Sequence, residues 1–504
     1  MEIELKLLVP AGAMRRLASH RLLGRSGPVR RARLRSVYYD TPALDLWRQG
    51  IALRLRHDGR RWLQAVKGGG TARGGLHQRL EEEVEVAGPA PDFTRIGDGA
   101  LASALASPRL RARLAPVFTT DFTRASRVIE LGGGTRVEAS LDEGVIRGAR
   151  GAEPVRELEL ELKSGEPARL YDLALALAED VPLALGNRSK AQRGYALAGA
   201  APDAPVKARA ATLDRGMTAA EAFRAVMWAG LAHYQANEPG ALAGADPEYL
   251  HQLRVALRRL RSAIGIFAPL LDAPALAALR ADLRWLAGRL GPARDWDVFV
   301  TETLPPVVEA FGRRGGFRDF VARCERLRRA ANARARRALR SARCRRLALR
   351  LSAWLHAGDW LRELPAARRE ALERPVAEWA SAVLGRRYDR VRERGRGLAR
   401  HSAGELHRLR IAIKKYRYAA DFFASLYGKP ARQALGRLSR LQDILGAMND
   451  AANVAELTAR GFDGGARVRE ARGIVLGWSR ARATALRRKL KRAWKSFRAA
   501  EPFW

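Results

Sequence analysis

Histidine and cysteine are scarce in this chain, eight and two in 504 residues. The two cysteines, Cys324 and Cys344, fall in one arginine-rich stretch without CxxC spacing. That excludes a disulfide framework and a thiolate zinc site, and it suits a reduced, cytoplasmic compartment. No apolar run approaches the roughly 18 residues of a membrane-crossing helix, and no signal-peptide pattern precedes the first charged segment. A membrane partner is therefore not expected. Acidic residues are also short, 53 against 92 Lys and Arg, leaving a net charge of +39. The imbalance is uneven. Residues 1–200 hold 32 basic and 24 acidic residues, a net +8, whereas 201–504 hold 60 and 29, a net +31. A field of that sign favours polyanionic partners.

What is present divides near residue 200. Before it, short alternating runs are punctuated by turn signals at Gly68-Gly69-Gly70, Gly132-Gly133-Gly134, Asp142-Glu143-Gly144 and Gly165. This part reads as mostly β, with helices around 11–20 and 168–179. The segment Ala200-Ala201-Pro202-Asp203-Ala204-Pro205 reads as a linker, and long Ala/Leu/Arg helices follow. The reading is an α+β multidomain chain: residues 1–200, a linker over 201–213, and an all-α domain over 214–504.

In the first part, Glu2, Glu4 and Lys6 share one face of an extended strand while Ile3 and Leu5 share the other. Five more segments repeat the pattern: Arg54/Arg56; Lys67 at the end of Trp62–Lys67; Arg79/Glu81/Glu83/Glu85; Glu138/Asp142; and Glu157/Glu159/Glu161/Lys163. Ordinary solvated strand faces mix in Ser, Thr, Asn and Gln, so six ionic faces argue for a closed sheet on which these faces converge. Carboxylates suit hard divalent ions such as Mg²⁺ or Mn²⁺. Interleaved Arg and Lys suit phosphate oxygens. Metal-assisted phosphate chemistry follows.

These residues resemble the CYTH domain, the triphosphate tunnel metalloenzymes. The motifs are ExExK at Glu2–Lys6, Tyr38-Tyr39-Asp40-Thr41, Leu53-Arg54-Leu55-Arg56, Lys67, Arg79-x-Glu81-x-Glu83, Asp142-Glu143-Gly144, Glu157 to Gly165, and Ser189-Lys190-x3-Gly194-Tyr195. The resemblance implies an eight-stranded antiparallel β-barrel tunnel with helices outside. It implies metal on Glu4, Glu159 and Glu161, with Glu2, Glu83 and Asp142 as further ligands. Triphosphate would lie on Lys6, Arg54, Arg56, Lys67, Arg124 and Lys190, with Glu4, Lys6 and Lys190 catalytic. Arg124 rests on Phe118-x5-Arg124 alone, and Ala65 departs from relatives that place Thr two residues before the tunnel lysine.

The helical part contains a repeat. His251-Gln252-Leu253-Arg254-Val255-Ala256-Leu257-Arg258-Arg259-Leu260-Arg261 recurs 156 residues later as His407-Arg408-Leu409-Arg410-Ile411-Ala412-Ile413-Lys414-Lys415-Tyr416-Arg417. LAGRLGPARD, ending at Asp295, likewise pairs with LQDILGAMND, ending at Asp450. Two related halves of about four helices each are expected. At 100° per residue, His251, Arg254, Arg258 and Arg261 fall within about 80° of arc, beside a separate apolar stripe. The second copy repeats this with His407, Arg410, Lys414 and Arg417. Solvated helix surface explains one such face better than two. This part resembles the CHAD domain, a duplicated helical module associated with polyphosphate. The resemblance implies phosphate contacts for those eight residues, with Asp295 and Asp450 orienting the cations. Nucleic acid shares the electrostatics, but the stripes lack the stacking aromatics of single-strand binders.

The combined expectation is a Mg²⁺- or Mn²⁺-dependent inorganic triphosphatase with a polyphosphate-binding domain, cytoplasmic and associated with polyphosphate granules. Thiamine-triphosphatase or adenylate cyclase activity on the same barrel stays open, as does a non-catalytic polyphosphate- or nucleic-acid-binding protein.

Overall fold

A computed structural model describes residues 2–24, 27–97, 99, 102–103, 105–200, 204–244, 246–271, 274–361, 364–459, 462 and 465–504. Residues 201–203, in the expected linker, lie outside the described residues. The chain divides into two compact units, Met1–Ala204 with Ala342–Gly358, and Pro205–Ser341 with Asp359–Trp504. A segment from within the stretch 214–504 thus groups with the β-rich unit.

That unit is built on nine antiparallel strands: β1 (Glu2–Leu8), β2 (Arg30–Asp40), β3 (Ala52–His57), β4 (Trp62–Arg73), β5 (Leu76–Val86), β6 (Ala115–Glu130), β7 (Arg136–Gly148), β8 (Gly151–Ser164) and β9 (Ala184–Leu185). The sheet order is β5-β4-β3-β2-β6-β7-β8-β1-β9, and a further β5–β1 pairing closes eight strands into a ring. The ninth strand has two residues, joins β1 through Leu7↔Leu185, and stands outside the ring. The count therefore exceeds the expected eight by this short addition.

Strand alternation sends charge inward and leucine outward. Leu5, Leu7, Leu158 and Leu160 are fully buried, but in a core that lies outside the barrel. There they meet Leu170, Tyr171, Ala174 and Leu177 of α1 (Ala168–Asp180). Each such leucine contributes about 2 kcal/mol by leaving water. Helix Ala342–Ala357, α7 in chain order, completes this layer. Its Leu349 joins the same core, His356 stacks on Tyr171 at 5.0 Å, and Arg345 donates to the Pro182 carbonyl at 2.7 Å.

Two expected turns are not turns. Asp142-Glu143-Gly144 runs through the middle of β7, where a Cβ at Gly144 would stand 2.2 Å from the Asp121 carbonyl oxygen of β6. Close strand approach, not chain reversal, selects glycine there. Gly68-Gly69-Gly70 forms a bulge within β4, where pairing with β5 shifts register. Helix α2 (Lys190–Ala198) opens on a capping box between Ser189 and Gln192, worth about 1 kcal/mol. It lies flat on β6 because Gly194 leaves room for Phe118.

The second unit contains eight long helices in two sets of four. The first set is α3 (Ala219–Ala243), α4 (Pro247–Phe267), α5 (Pro274–Val298) and α6 (Phe317–Arg340). The second is α8 (Val376–Arg394), α9 (Ala403–Phe422), α10 (Ala424–Leu457) and α11 (Ala466–Arg498). The repeated sequence falls on α4 and α9, and their N-termini are capped by Asp246 and Ser402. Cys324 and Cys344 are buried and not joined in a disulfide. Among the described residues no helix is long and apolar enough to cross a membrane.

Candidate active-site tunnel and cationic helical face

Strand register assembles the ionic interior. Lys6 of β1 stands opposite Glu159 of β8, and Glu4 opposite Glu161. Asp142 of β7 faces Arg124 of β6 on one side and Glu157 of β8 on the other. Across the ring, Arg54 of β3 is level with Ala65 of β4, which is level with Glu83 of β5, while Lys67 is level with Glu81. Directly opposed residues share a face, so the charges meet inside.

They pair closely. Lys6 Nζ lies 2.7 Å from Glu4 and 2.5 Å from Glu159. Lys190, arriving from α2, lies 2.7 Å from Asp142, 2.6 Å from Glu157 and 2.9 Å from Glu159. Arg124 grips Asp142 with two hydrogen bonds, of 2.7 and 2.6 Å, and also reaches Glu159. Glu159 is the junction. Burial would raise its pKa, but Lys190, Lys6 and Arg124 hold it well below the carboxylate range. Burial likewise opposes the charge on Lys6, yet Glu159 and Glu4 raise its pKa.

On the far side, Arg54 Nη2 bonds Glu81 at 3.2 Å and Glu83 at 2.9 Å, and Lys67 sits 2.5 Å from Glu81. Against the cost of burial, Lys67 and Arg54 pull Glu81 down to about 2. Burial pushes Glu2 up to about 7, with Glu4 and Glu81 adding to the effect and Lys67 opposing it. Arg56 differs from every other inward cation. It has no carboxylate within ion-pair distance among the described residues; its Nε, like that of Arg54, is buried without a hydrogen-bond partner. Burial, then Arg54 and Arg124, push its pKa down to about 10.

The structure thus gathers Glu2, Glu4, Lys6, Arg54, Arg56, Lys67, Glu83, Arg124, Asp142, Glu159 and Lys190 inside one ring. Glu161 is half-buried and paired instead with Lys163 at 2.7 Å. Among the described residues, the carboxylates close enough to share one metal ion are Asp142, Glu157 and Glu159, with ligand oxygens within 4.8 Å of one another. That set is all hard oxygen, which fits Mg²⁺ or Mn²⁺. Glu157 was visible in the alternation with Glu159 yet not chosen as a site residue. Arg193 was missed outright: it clamps Glu157, with Glu153 at 2.7 Å and the Pro154 carbonyl at 2.6 Å. Its spacing from Lys190, one helical turn along α2, was the available signal.

In the helical unit the two repeats meet. Arg258 of α4 donates to Tyr418 of α9 at 3.1 Å. Burial lowers the pKa of Lys414 to about 7, with Arg410 and Arg258 adding to it and Asp450 opposing. Burial lowers Arg254 and Arg410 too, against the pull of Asp295 and Asp450 respectively. His251 is pushed down to about 4 by burial and by Arg294. Arg254, Arg258, Arg410 and Lys414 therefore form one mutually repelling cluster, with His251 at its margin. The outer stripe residues are placed differently. Arg261 is exposed and its charged neighbour is Arg284. His407 bonds Asn449 at 3.0 Å, and Arg417 bonds Gln442 at 2.7 Å.

Comparison with known proteins bears on both units. Residues 1–195 match the CYTH domain family, and residues 225–459 match the CHAD domain family. The chain is a CYTH–CHAD fusion. A curated inorganic triphosphatase from Haemophilus influenzae is 30% identical over 165 residues, which is 32% of this chain and 46% of that protein. The chain therefore spans about half the length of that relative. The crystal structure of the CHAD domain from the plant Ricinus communis is 32% identical, with a TM-score of 0.51. That match covers 60% of this chain and 98% of the plant domain.

Proposed function

We propose that the CYTH domain hydrolyses inorganic triphosphate with Mg²⁺ or Mn²⁺ and that the CHAD domain binds inorganic polyphosphate. The observation that carries the first half is a closed ring of inward charges of both signs in which, among the described residues, Arg56 has no carboxylate within ion-pair distance. A buried, unpaired guanidinium is costly unless an anion joins it. The similarity to an inorganic triphosphatase supports the choice of anion.

Charge balance supports the metal. Six inward cations, Lys6, Arg54, Arg56, Lys67, Arg124 and Lys190, face seven carboxylates: Glu2, Glu4, Glu81, Glu83, Asp142, Glu157 and Glu159. An interior so close to neutral does not accept a highly charged triphosphate unless further cations enter with it. Glu159 and Asp142 are common to the ligands implied by family resemblance and to the carboxylates the fold gathers. Glu159, where Lys6, Arg124 and Lys190 meet, would be the central ligand, with Glu4, Glu161, Glu2, Glu83, Glu157 and Asp142 around it. The bound ion would neutralise phosphate charge and lower the pKa of a water. Arg54, Arg56 and Lys67 would hold phosphate oxygens from one side of the ring, and Lys6, Arg124 and Lys190 from the other. They would fix the chain for in-line attack.

Phosphate release from tripolyphosphate, long polyphosphate, thiamine triphosphate and ATP, with each metal, tests the reading. Turnover of tripolyphosphate above the others supports it. Preference for ATP with cyclic AMP as product replaces it with a cyclase, preference for thiamine triphosphate with that hydrolase, and absence of release with a binding protein.

A further inference from the structure

Lys190 sits where a divalent ion would. Its ammonium lies within 2.9 Å of Asp142, Glu157 and Glu159, and these same three carboxylates form the group close enough to share one metal. An ammonium and a dication cannot both occupy so small a set of oxygens, because their repulsion in a water-poor interior is large. We infer that Lys190 is an internal cation that competes with the divalent metal for Asp142, Glu157 and Glu159, and that it vacates them when phosphate oxygens give it another partner.

The design of α2 supports this. Lys190 is the first residue of the helix, set in place by the Ser189–Gln192 capping box, and carries its charge on a flexible four-carbon stem. Arg193, one turn on, is fixed by Glu153, Glu157 and the Pro154 carbonyl. One cation of the helix can leave, and the other stays to hold Glu157 in position. Asp142 and Glu157 are 0% and 1% exposed, so without Lys190 or a metal they would keep Arg124 and Arg193 as partners but lose a buried compensating charge. The ammonium keeps the metal-free tunnel close to neutral. Metal and substrate are then linked: each favours the other through the position of one side chain.

The release by phosphate rests on the triphosphatase reading, but the competition does not. The test is Mn²⁺ binding to the full-length protein in phosphate-free buffer, followed by electron paramagnetic resonance. Lys190→Met is expected to bind Mn²⁺ about tenfold more tightly than the wild type, in the usual range of site–site coupling. Equal or weaker binding would overturn the inference. So would an equal gain in Arg193→Met, which removes a neighbouring charge without emptying the carboxylate set. Because Lys190→Met removes charge compensation, it is also melted in EDTA and in Mn²⁺. A Tm lowered in EDTA and recovered by Mn²⁺ supports competition, and a loss that Mn²⁺ does not recover counts against it. None of these readings uses tripolyphosphate. A wild type that releases no phosphate while Lys190→Met gains Mn²⁺ affinity would sink the triphosphatase and keep the competition.

Discussion

The tunnel and the helical face are both lined with arginine and lysine, yet close carboxylate partners are many in the first and few in the second. In the tunnel, carboxylates interleave with the cations, and Lys6 and Arg124 are raised above their ordinary pKa by Glu159 and its neighbours despite burial. On the helical face, burial and mutual repulsion lower Arg254, Arg410 and Lys414, and Asp295 and Asp450 only partly oppose it. The first is a site close to charge balance, into which an anion would have to bring its own cations. The second is an unbalanced site, already short of negative charge. Balance suits chemistry on a small metal-bound anion; imbalance suits retention of a long one.

The comparison breaks first at Glu159. Glu159→Gln removes the shared partner of Lys6, Arg124 and Lys190, so tripolyphosphate turnover is expected to fall by about a thousandfold or more. Polyphosphate retention by the CHAD domain should remain. Equal loss of both, measured by phosphate release and by filter binding of long polyphosphate, would show that the two regions do not divide the work. The next largest effect belongs to the unbalanced site. Arg258→Glu combined with Lys414→Glu is expected to weaken polyphosphate binding by about a hundredfold. Each lost cation should also reduce the slope of log affinity against log salt by about 0.7–0.9, by analogy with nucleic-acid polyanions. Unchanged slope in a salt titration would place the polymer elsewhere.

A smaller effect probes the exception inside the balanced site. Among the described residues Arg56 is a tunnel cation without an ion pair, so its removal breaks no close pair and loses only the longer-range attraction of Glu83 and Tyr38. Arg56→Met should raise KM for tripolyphosphate about ten- to hundredfold, the range of one charge-assisted contact, while the melting temperature holds or rises. A fall in melting temperature with KM unchanged would make Arg56 a structural cation.

Much of this contrast was legible before folding. A period-two alternation as regular as Glu157-Leu158-Glu159-Leu160-Glu161 fixes which residues share a face, and a repeat at constant offset brings His251–Arg261 and His407–Arg417 into correspondence. Legibility ended where the answer depended on what a residue meets across space. Gly144 reads like a turn glycine, and only the approach of Asp121 and Phe122 from β6 explains it. Ala342–Ala357 has the same arginine-rich helical composition as its neighbours, so nothing local marks it for the barrel's outer core. Alternation likewise put Glu161 with Glu157 and Glu159 but could not show that Lys163, which Glu138 also holds, would pair with it.

The mildest prediction concerns pH and separates the two regions most directly. Lys414 has a pKa near 7 in the free protein because burial, Arg410, Arg258 and Arg254 disfavour its charge, while Asp450 favours it. Polyanion binding supplies the missing negative charge, so the bound lysine is protonated and its pKa lies well above 7. Affinity is then fully present below the free pKa and declines as pH rises through it, because binding must first take up a proton. Between pH 6 and pH 8 the loss is at most about tenfold for one proton. His251, pushed down to about 4, is neutral in the free protein over that interval. Calorimetry in two buffers of different ionisation enthalpy would count the proton directly. Lys414→Met should bind more weakly at pH 6 and lose the slope between pH 6 and pH 8. A slope that survives the substitution would assign the titration to another group and leave the unbalanced cluster without its most sensitive member.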